Sequence, residues 1–223
     1  MSASARQSRS STPLRLVFDE HGTPSARKIE QALEHLHRGG VAAYPTDSIY
    51  ALGCAIESRD GIERIYRAKN MNRKQKLALI CPDLSTASQF GQFSQTAFKI
   101  AQRIFPGPYT LVVPATHEVP RMLTHDKRRT VGIRITSHPI AQALAAGLGR
   151  PLLTTSAVTI DPDEPDEHLP CRDAEEVLEA FGKHIDVVID SIQTPASPST
   201  VIEVDGDTVT VIREGQGSLS VLD

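Results

Sequence analysis

Hydrophobic and polar positions recur along the chain with two different periods, and the switches between them predict its elements. Over 25–38 (SARKIEQALEHLHR), Ile29, Leu33 and Leu36 fall on one helical face, and Gly39-Gly40 ends the run. VAAY at 41–44 is an apolar run of strand length. Pro45-Thr46-Asp47 breaks it, and a small-residue stretch then resumes the strand pattern. Asp60, with Glu63 three residues on, is read as the cap of a second helix. LALIC at 77–81 predicts a strand, and Ser94 opens a helix running to Phe105. Pro106-Gly107-Pro108 separates that helix from a strand at 109–113, YTLVV.

TVGIRI at 130–135 alternates with period two, which places Val131, Ile133 and Ile135 on one face and Arg134 on the other. Pro139 starts a small-residue helix, PIAQALAAGLG, and PLLTTSAV at 151–158 is the next strand. Residues 160–170 form an acidic, Pro-rich connection. Asp173 and Glu176 open the last helix, IDVVID at 185–190 is a strand, and residues 201–212 read as a hairpin around Asp205-Gly206. This succession predicts one α/β domain over 14–223, with a large twisted sheet of parallel and antiparallel strands flanked by helices. Residues 1–13 (MSASARQSRSSTP) carry no apolar stretch and are expected to form a flexible tail.

At 223 residues the chain is long enough for a sizeable core, and its Val/Ile/Leu-rich segments exclude disorder of the body. No apolar run reaches the roughly 18–20 residues of a membrane-spanning helix, so no membrane partner is expected. The absence of Trp and an aromatic content of 4% argue against a stacking surface for single-stranded nucleic acid. Cys54, Cys81 and Cys171 are far apart and form no C-x-x-C pair, which supports neither a disulfide framework nor a zinc site. Cys54 and Cys81, in apolar stretches, are expected to be buried bystanders, and a cytoplasmic location is expected. The eight histidines show no metal-ligand spacing, and no metal site is expected.

The common nucleotide-binding and hydrolase signatures (G-x-x-x-x-G-K-[ST], G-x-G-x-x-G, H-E-x-x-H, G-x-S-x-G) are missing, so any nucleotide chemistry needs a different cradle. Four segments carry polar groups suited to one. Thr46, Asp47 and Ser48 follow a strand, where α/β sheets place ligands, although a turn bonded to its own backbone reads the same way. Arg67, Lys69, Arg73, Lys74 and Lys76 cluster without an acid, either as a phosphate or RNA contact or as a solvated loop. Lys127, Arg128 and Arg129 resemble an exposed turn, whereas Arg134 inside a strand requires an anion, either a ligand carboxylate or a protein acid. Thr154-Thr-Ser156, with Ser199-Thr200 and Arg213, offers hydroxyls and a cation at strand ends, although β-propensity alone also explains the Thr and Ser.

Taken in order, GGVAAYPTDSIYALGC, IYRAK, FPGPYTLVV, TVGIRITSHPIAQAL, PLLTTSA, PSTVIEV and VIREG resemble the YrdC-like threonylcarbamoyl-adenylate synthases from about Gly39 to Gly215. The DSIYALGC wording and the RML-x-x-DKRRT run are closer to the YciO-type branch. The resemblance implies a twisted mixed sheet around a basic concave cavity. It implies a reaction joining L-threonine, bicarbonate and ATP into threonylcarbamoyl-AMP and pyrophosphate, for modification of adenosine 37 in tRNA. It assigns Thr46, Arg134, Thr154 and Ser199 to the amino acid and Lys69, Thr130, Ser156 and Arg213 to ATP, with Mg²⁺ arriving on the ATP. No tightly bound cofactor and no catalytic base is implied.

Three positions depart from the synthase pattern. Met71 stands where an arginine is usual, Val158 where Ser-x-Asn is usual, and Ile80 where many members carry His. The alternative function is a YciO-type protein that binds tRNA or double-stranded RNA, through Lys127, Arg128 and Arg129, without making the adenylate. The net charge of −3 does not oppose it, because residues 161–186 concentrate the acids and leave the remainder net basic.

Overall fold

The computed structural model describes residues 12–19, 22–71, 77–124, 128–160, 168–195 and 197–222. Residues 1–11 of the N-terminal tail, the cations Arg73, Lys74, Lys76 and Lys127, and the acidic run 161–167 lie outside the described residues. The chain opens with β1 (Leu14–Val17), α1 (Ala26–His37), β2 (Ala42–Tyr44), β3 (Ala51–Ala55), α2 (Arg59–Ala68) and β4 (Ala78–Ile80). It continues through α3 (Leu84–Phe90), α4 (Gln95–Ile104), β5 (Tyr109–Pro114), β6 (Thr130–Arg134), α5 (Pro139–Leu148) and β7 (Leu152–Ser156). It closes with β8 (Val158–Ile160), β9 (His168–Pro170), α6 (Ala174–Phe181), β10 (Val187–Asp190), β11 (Thr200–Asp205) and β12 (Thr208–Arg213).

Ten strands form one mixed sheet in the order β1-β10-β2-β3-β7-β4-β6-β5-β11-β12. The pairs β1/β10, β10/β2, β4/β6 and β5/β11 are parallel and the others antiparallel. One face is covered along its length by the apolar stripes of α2, α3, α4 and α6, which meet Leu79, Leu111, Val113, Val131, Ile133, Leu153 and Ile202. The opposite face is covered only in part. There α1 (Ile29, Ala32, Leu36) and α5 (Ile140, Ala141, Leu144) pack over Ala42, Tyr44, Ala51, Ile80, Leu152, Val187 and Ile189. Strand alternation puts Ala78, Thr154, Ser156, Gly132 and Arg134 on that same face, beyond the reach of the two helices. Among the described residues, half of that sheet face is left open.

Two local expectations are corrected. Asp60 is not the cap of α2: Ser58 is, its hydroxyl accepting from Gly61 N–H at 3.0 Å, and Asp60 sits in the first turn beside the N-terminal end of the helix dipole. The run 151–158 is two strands rather than one, because Ala157 turns the chain from β7 into β8, which pairs with β9 in a separate two-stranded sheet. Two elements have weak local signals. β1 buries only Leu16 of its four residues, and α3 is a polar segment burying Ala87 and Phe90, held at its start by Asp83 accepting from Thr86 N–H at 2.7 Å.

The three cysteines are buried, as the apolar stretches around Cys54 and Cys81 predict, and burial pushes the thiols of both up to about 12 and that of Cys171 to about 11. Among the described residues no helix is long and apolar enough to cross a membrane.

The uneven covering gives a stability test. Replacing fully buried Ile133 by Ala is expected to cost about 2–5 kcal/mol. Replacing Ile212, 57% exposed at the open edge, should stay within about 0.5 kcal/mol. Urea unfolding of both variants checks this, and equal losses would contradict the half-open arrangement.

Candidate functional site

The open half of the sheet is floored by side chains in register, smallest at Ala78 and Gly132. Thr154, Ala78, Gly132, Val112 and Glu203 lie in one row across β7, β4, β6, β5 and β11. A Cβ on Gly132 would stand 3.1 Å from Thr110 Cγ2 and 3.3 Å from Ala78 Cβ, so a side chain there would require its neighbours to give by a few tenths of an ångström. Above it is a cleft of about 730 Å³, within the size range of small-molecule sites. Its walls come from Ile49 after β2, Lys69 at the end of α2, Val158 and Pro170 of the small sheet, and Ser199 and Arg213 at the far edge.

Arg134 rises from β6 on the open face, opposite the core residues Val131, Ile133 and Ile135 as its alternation predicts, and is 5% exposed. Its Nη2 donates to Asp47 Oδ1 at 2.9 Å and to Ser48 Oγ at 3.1 Å. Asp47 is in turn fixed by its other oxygen, which accepts from Ser137 N–H at 2.7 Å and Ser137 Oγ at 3.2 Å. The Nε–H of Arg134 is buried and has no hydrogen-bond partner among the described residues. A buried charged donor left in this state costs free energy until an acceptor arrives.

Thr46 does not line the cleft. It is 1% exposed, and its hydroxyl donates to Ile49 O at 2.7 Å and accepts from Ser48 N–H at 3.2 Å, so it shapes the turn that carries Asp47 and Ser48. Thr154 is on the cleft face, where its Oγ1 accepts from Tyr44 Oη at 2.8 Å. That contact needs Gly53, since a Cβ there would stand 2.7 Å from Tyr44 Oη and 2.7 Å from Leu153 O. Ser199 lies across the floor, its Oγ 2.9 Å from Thr110 Oγ1.

The other cations are held differently. Lys69 Nζ donates to the Ser156 carbonyl at 2.5 Å, and burial pulls its ammonium down to about 8. Arg213 donates to Ser199 O from Nη2 at 2.8 Å and from Nε at 3.2 Å. Burial, and then the nearby Arg134 charge, lower the pKa of its guanidinium. Neither Lys69 nor Arg213 has a carboxylate partner among the described residues. Ser156 reaches the cleft beside Lys69, whereas Thr130, two residues before Gly132 on the same face of β6, stands outside its lining. Arg128 and Arg129 are exposed ahead of β6, and Lys127 lies outside the described residues.

Sequence reasoning overlooked Glu203 and Thr110 as cleft residues. The alternation of Val201 and Glu203 against buried Ile202 and Val204 carried the signal for Glu203. Met71 is half-buried against the core, and Val158 gives the cleft wall an apolar surface; neither offers a hydrogen bond. Among the described residues no three His, Cys, Asp or Glu side chains are grouped to hold a metal ion.

Residues 34–215 match the Sua5/YciO/YrdC family model, whose description is "telomere recombination". The chain belongs to this family. It is 40% identical over 196 residues to the uncharacterized protein YciO of Escherichia coli K12, covering 88% of this chain and 93% of that protein. It is 37% identical over 171 residues to the threonylcarbamoyl-AMP synthase of Thiobacillus denitrificans, covering 76% and 87%. The crystal structure of E. coli YciO superposes with a TM-score of 0.85 at 38% identity, covering 94% of this chain and 98% of that one. P. abyssi Sua5 complexed with L-threonine gives 0.83 at 26% identity, covering 94% of this chain and 59% of that one.

The depressed pKa of Lys69 predicts a pH dependence. Its charge is present below about 8 and is lost as pH rises through that value. Affinity for inorganic triphosphate is expected to fall above pH 8, and Lys69→Arg to remove the break. Calorimetric titration from pH 6.5 to 9.5 checks this, and a flat wild-type profile would contradict it.

Proposed function

We propose that the protein is a threonylcarbamoyl-adenylate synthase: ATP, bicarbonate and L-threonine yield threonylcarbamoyl-AMP and pyrophosphate, for use on adenosine 37 of tRNA. The carrying observation is the buried, unpartnered Nε–H of Arg134, which shares one cleft with Lys69 and Arg213. A carboxylate completes the first group, and a polyphosphate offsets the other two. The family membership, with synthases among its members, and the likeness to Sua5 complexed with L-threonine support the same reading.

In this reading the threonine carboxylate accepts from Arg134 Nε–H, and the hydroxyls of Thr154 and Ser199 orient the amino acid, with Thr46 acting through its turn. The amine adds to the carbon of bicarbonate, and water leaves as the carbamate forms. A carbamate oxygen attacks the α-phosphorus, and the bond to the β-phosphate bridging oxygen breaks to release pyrophosphate. Lys69 and Arg213 offset the phosphate charge, Ser156 adds a hydroxyl, and Thr130 is assigned to the nucleoside end. Mg²⁺ enters with ATP as part of the substrate. Catalysis is mostly positioning and charge compensation, which a rigid sheet supplies with little reorganisation.

Met71 and Val158 offer no side-chain hydrogen bond where an arginine and an asparagine could make one, and one charged hydrogen bond to a ligand is worth about 2–5 kcal/mol. The expected enzyme is accordingly slow. Mass spectrometry of the purified protein with ATP, Mg²⁺, bicarbonate and L-threonine is expected to show threonylcarbamoyl-AMP that requires every substrate. Lys69→Ala and Arg134→Ala should abolish it, and Met71→Arg with Val158→Asn should raise it at least about tenfold, roughly 1.4 kcal/mol. No product from wild type or the double variant would refute the reading. If double-stranded RNA or tRNA were then bound with steep salt dependence and a requirement for Arg128 and Arg129, an RNA-binding function would replace it.

A further inference from the structure

We propose that Asp47 is a specificity-determining positioning residue that reserves the Arg134 end of the cleft for a monoanionic carboxylate and leaves polyanions to Lys69 and Arg213. The amino-acid half of this statement rests on the reading given under Proposed function; the anion selectivity rests on the charge layout itself. Asp47 lies within 2.9 Å of Arg134, so this pair brings no net charge to its end of the cleft. Lys69 and Arg213 are held instead by neutral carbonyl oxygens of Ser156 and Ser199, so below about pH 8 their charges are not offset by a carboxylate among the described residues. The three cations are thus chemically unequal.

An acceptor arriving at Arg134 meets a guanidinium that already bears a carboxylate on Nη2 and whose buried Nε–H has no partner among the described residues. A single-charged carboxylate satisfies that donor. A phosphate dianion would place two charges beside Asp47, and like charges close together in a desolvated site repel strongly. Asp47 cannot swing aside to accommodate it. Its second oxygen accepts from both the backbone and the hydroxyl of Ser137, and the turn carrying it is closed by Thr46 and Ser48. Both side chains of the pair are nearly inaccessible, 6% exposed for Arg134 and 8% for Asp47, so solvent screens them little. Asp47 acts here through Arg134 and touches no substrate.

The test is a shift of anion preference, which simple structural damage would not produce. Inorganic phosphate and L-threonine are titrated separately into wild type, Asp47→Asn and the double variant Asp47→Asn/Arg134→Ala, with melting temperatures recorded for each. Asp47→Asn is expected to bind phosphate about tenfold or more tightly than wild type while L-threonine, with one charge, gains much less. The double variant should lose the phosphate gain, which locates it at Arg134. In wild type at equal ionic strength, acetate should displace L-threonine and phosphate should not, a measurement that stands even if the Asn variant fails to fold. Unchanged phosphate affinity in a folded Asp47→Asn, a gain that persists without Arg134, or displacement by phosphate in wild type would each overturn the proposal. A phosphate gain located at Arg134 in a protein whose wild type ignores L-threonine would uphold the role of Asp47 and refute the amino-acid reading.

Discussion

A guanidinium carried on a central strand of a ten-stranded sheet, 5% exposed, dictates much of what surrounds it. Burying such a charge alone would cost several kcal/mol, and removing one partner of a buried pair commonly costs about 3–5 kcal/mol. Asp47 and Ser48 meet that demand from a turn nearly ninety residues earlier in the chain, and Ser137 at the entry to α5 holds Asp47 in place. The pair thereby fastens three elements together: the end of β2, the end of β6 and the start of α5. It leaves the buried Nε–H of Arg134 without a partner among the described residues, and Arg134 is one of the residues lining the cleft.

The cleft owes its existence to the unequal covering of the sheet. Two helices suffice for the half of the face built from Ala42, Tyr44, Ile80, Leu152 and Val187, and no third helix among the described residues covers the remainder. On the open half the floor is made of Ala78, Gly132, Thr110 and Val112, which leave volume above them while the opposite face remains packed with Leu111, Ile133 and Ile202. A rigid floor beneath a vacant upper layer is what a positioning mechanism requires, since small displacements of reacting groups are costly. The hydroxyls and cations at the rim take their places from strand ends, whose geometry the sheet determines.

Much of the architecture could be read from local pattern. The alternation in TVGIRI placed Arg134 opposite the core, the caps at Ser94 and Asp173 began real helices, and the ordered motifs identified the fold. β1 and α3 escaped because each buries one or two side chains, too few to imprint a period, and Asp60 imitated a cap that Ser58 provides. Thr154 and Glu203 carried signals singly, but the row Thr154, Ala78, Gly132, Val112, Glu203 had no local signature as a row. It exists only because the strand order β7-β4-β6-β5-β11 brings residues 78 to 203 into register. Thr46 illustrates the same limit, since its motif was legible while its role inside the turn depended on the hydroxyl partners the fold supplies.

The account rests on Arg134, whose buried Nε–H has no partner among the described residues. The most direct measurement is the Nε–H resonance of Arg134 in protein labelled with ¹⁵N-arginine, assigned by its loss in Arg134→Lys. On addition of L-threonine the account predicts a pronounced shift of this resonance and slower exchange of its proton with water, as the carboxylate completes the buried donor. An Nε–H resonance that stays in place while L-threonine is bound would show that the donor serves another purpose and would contradict the account.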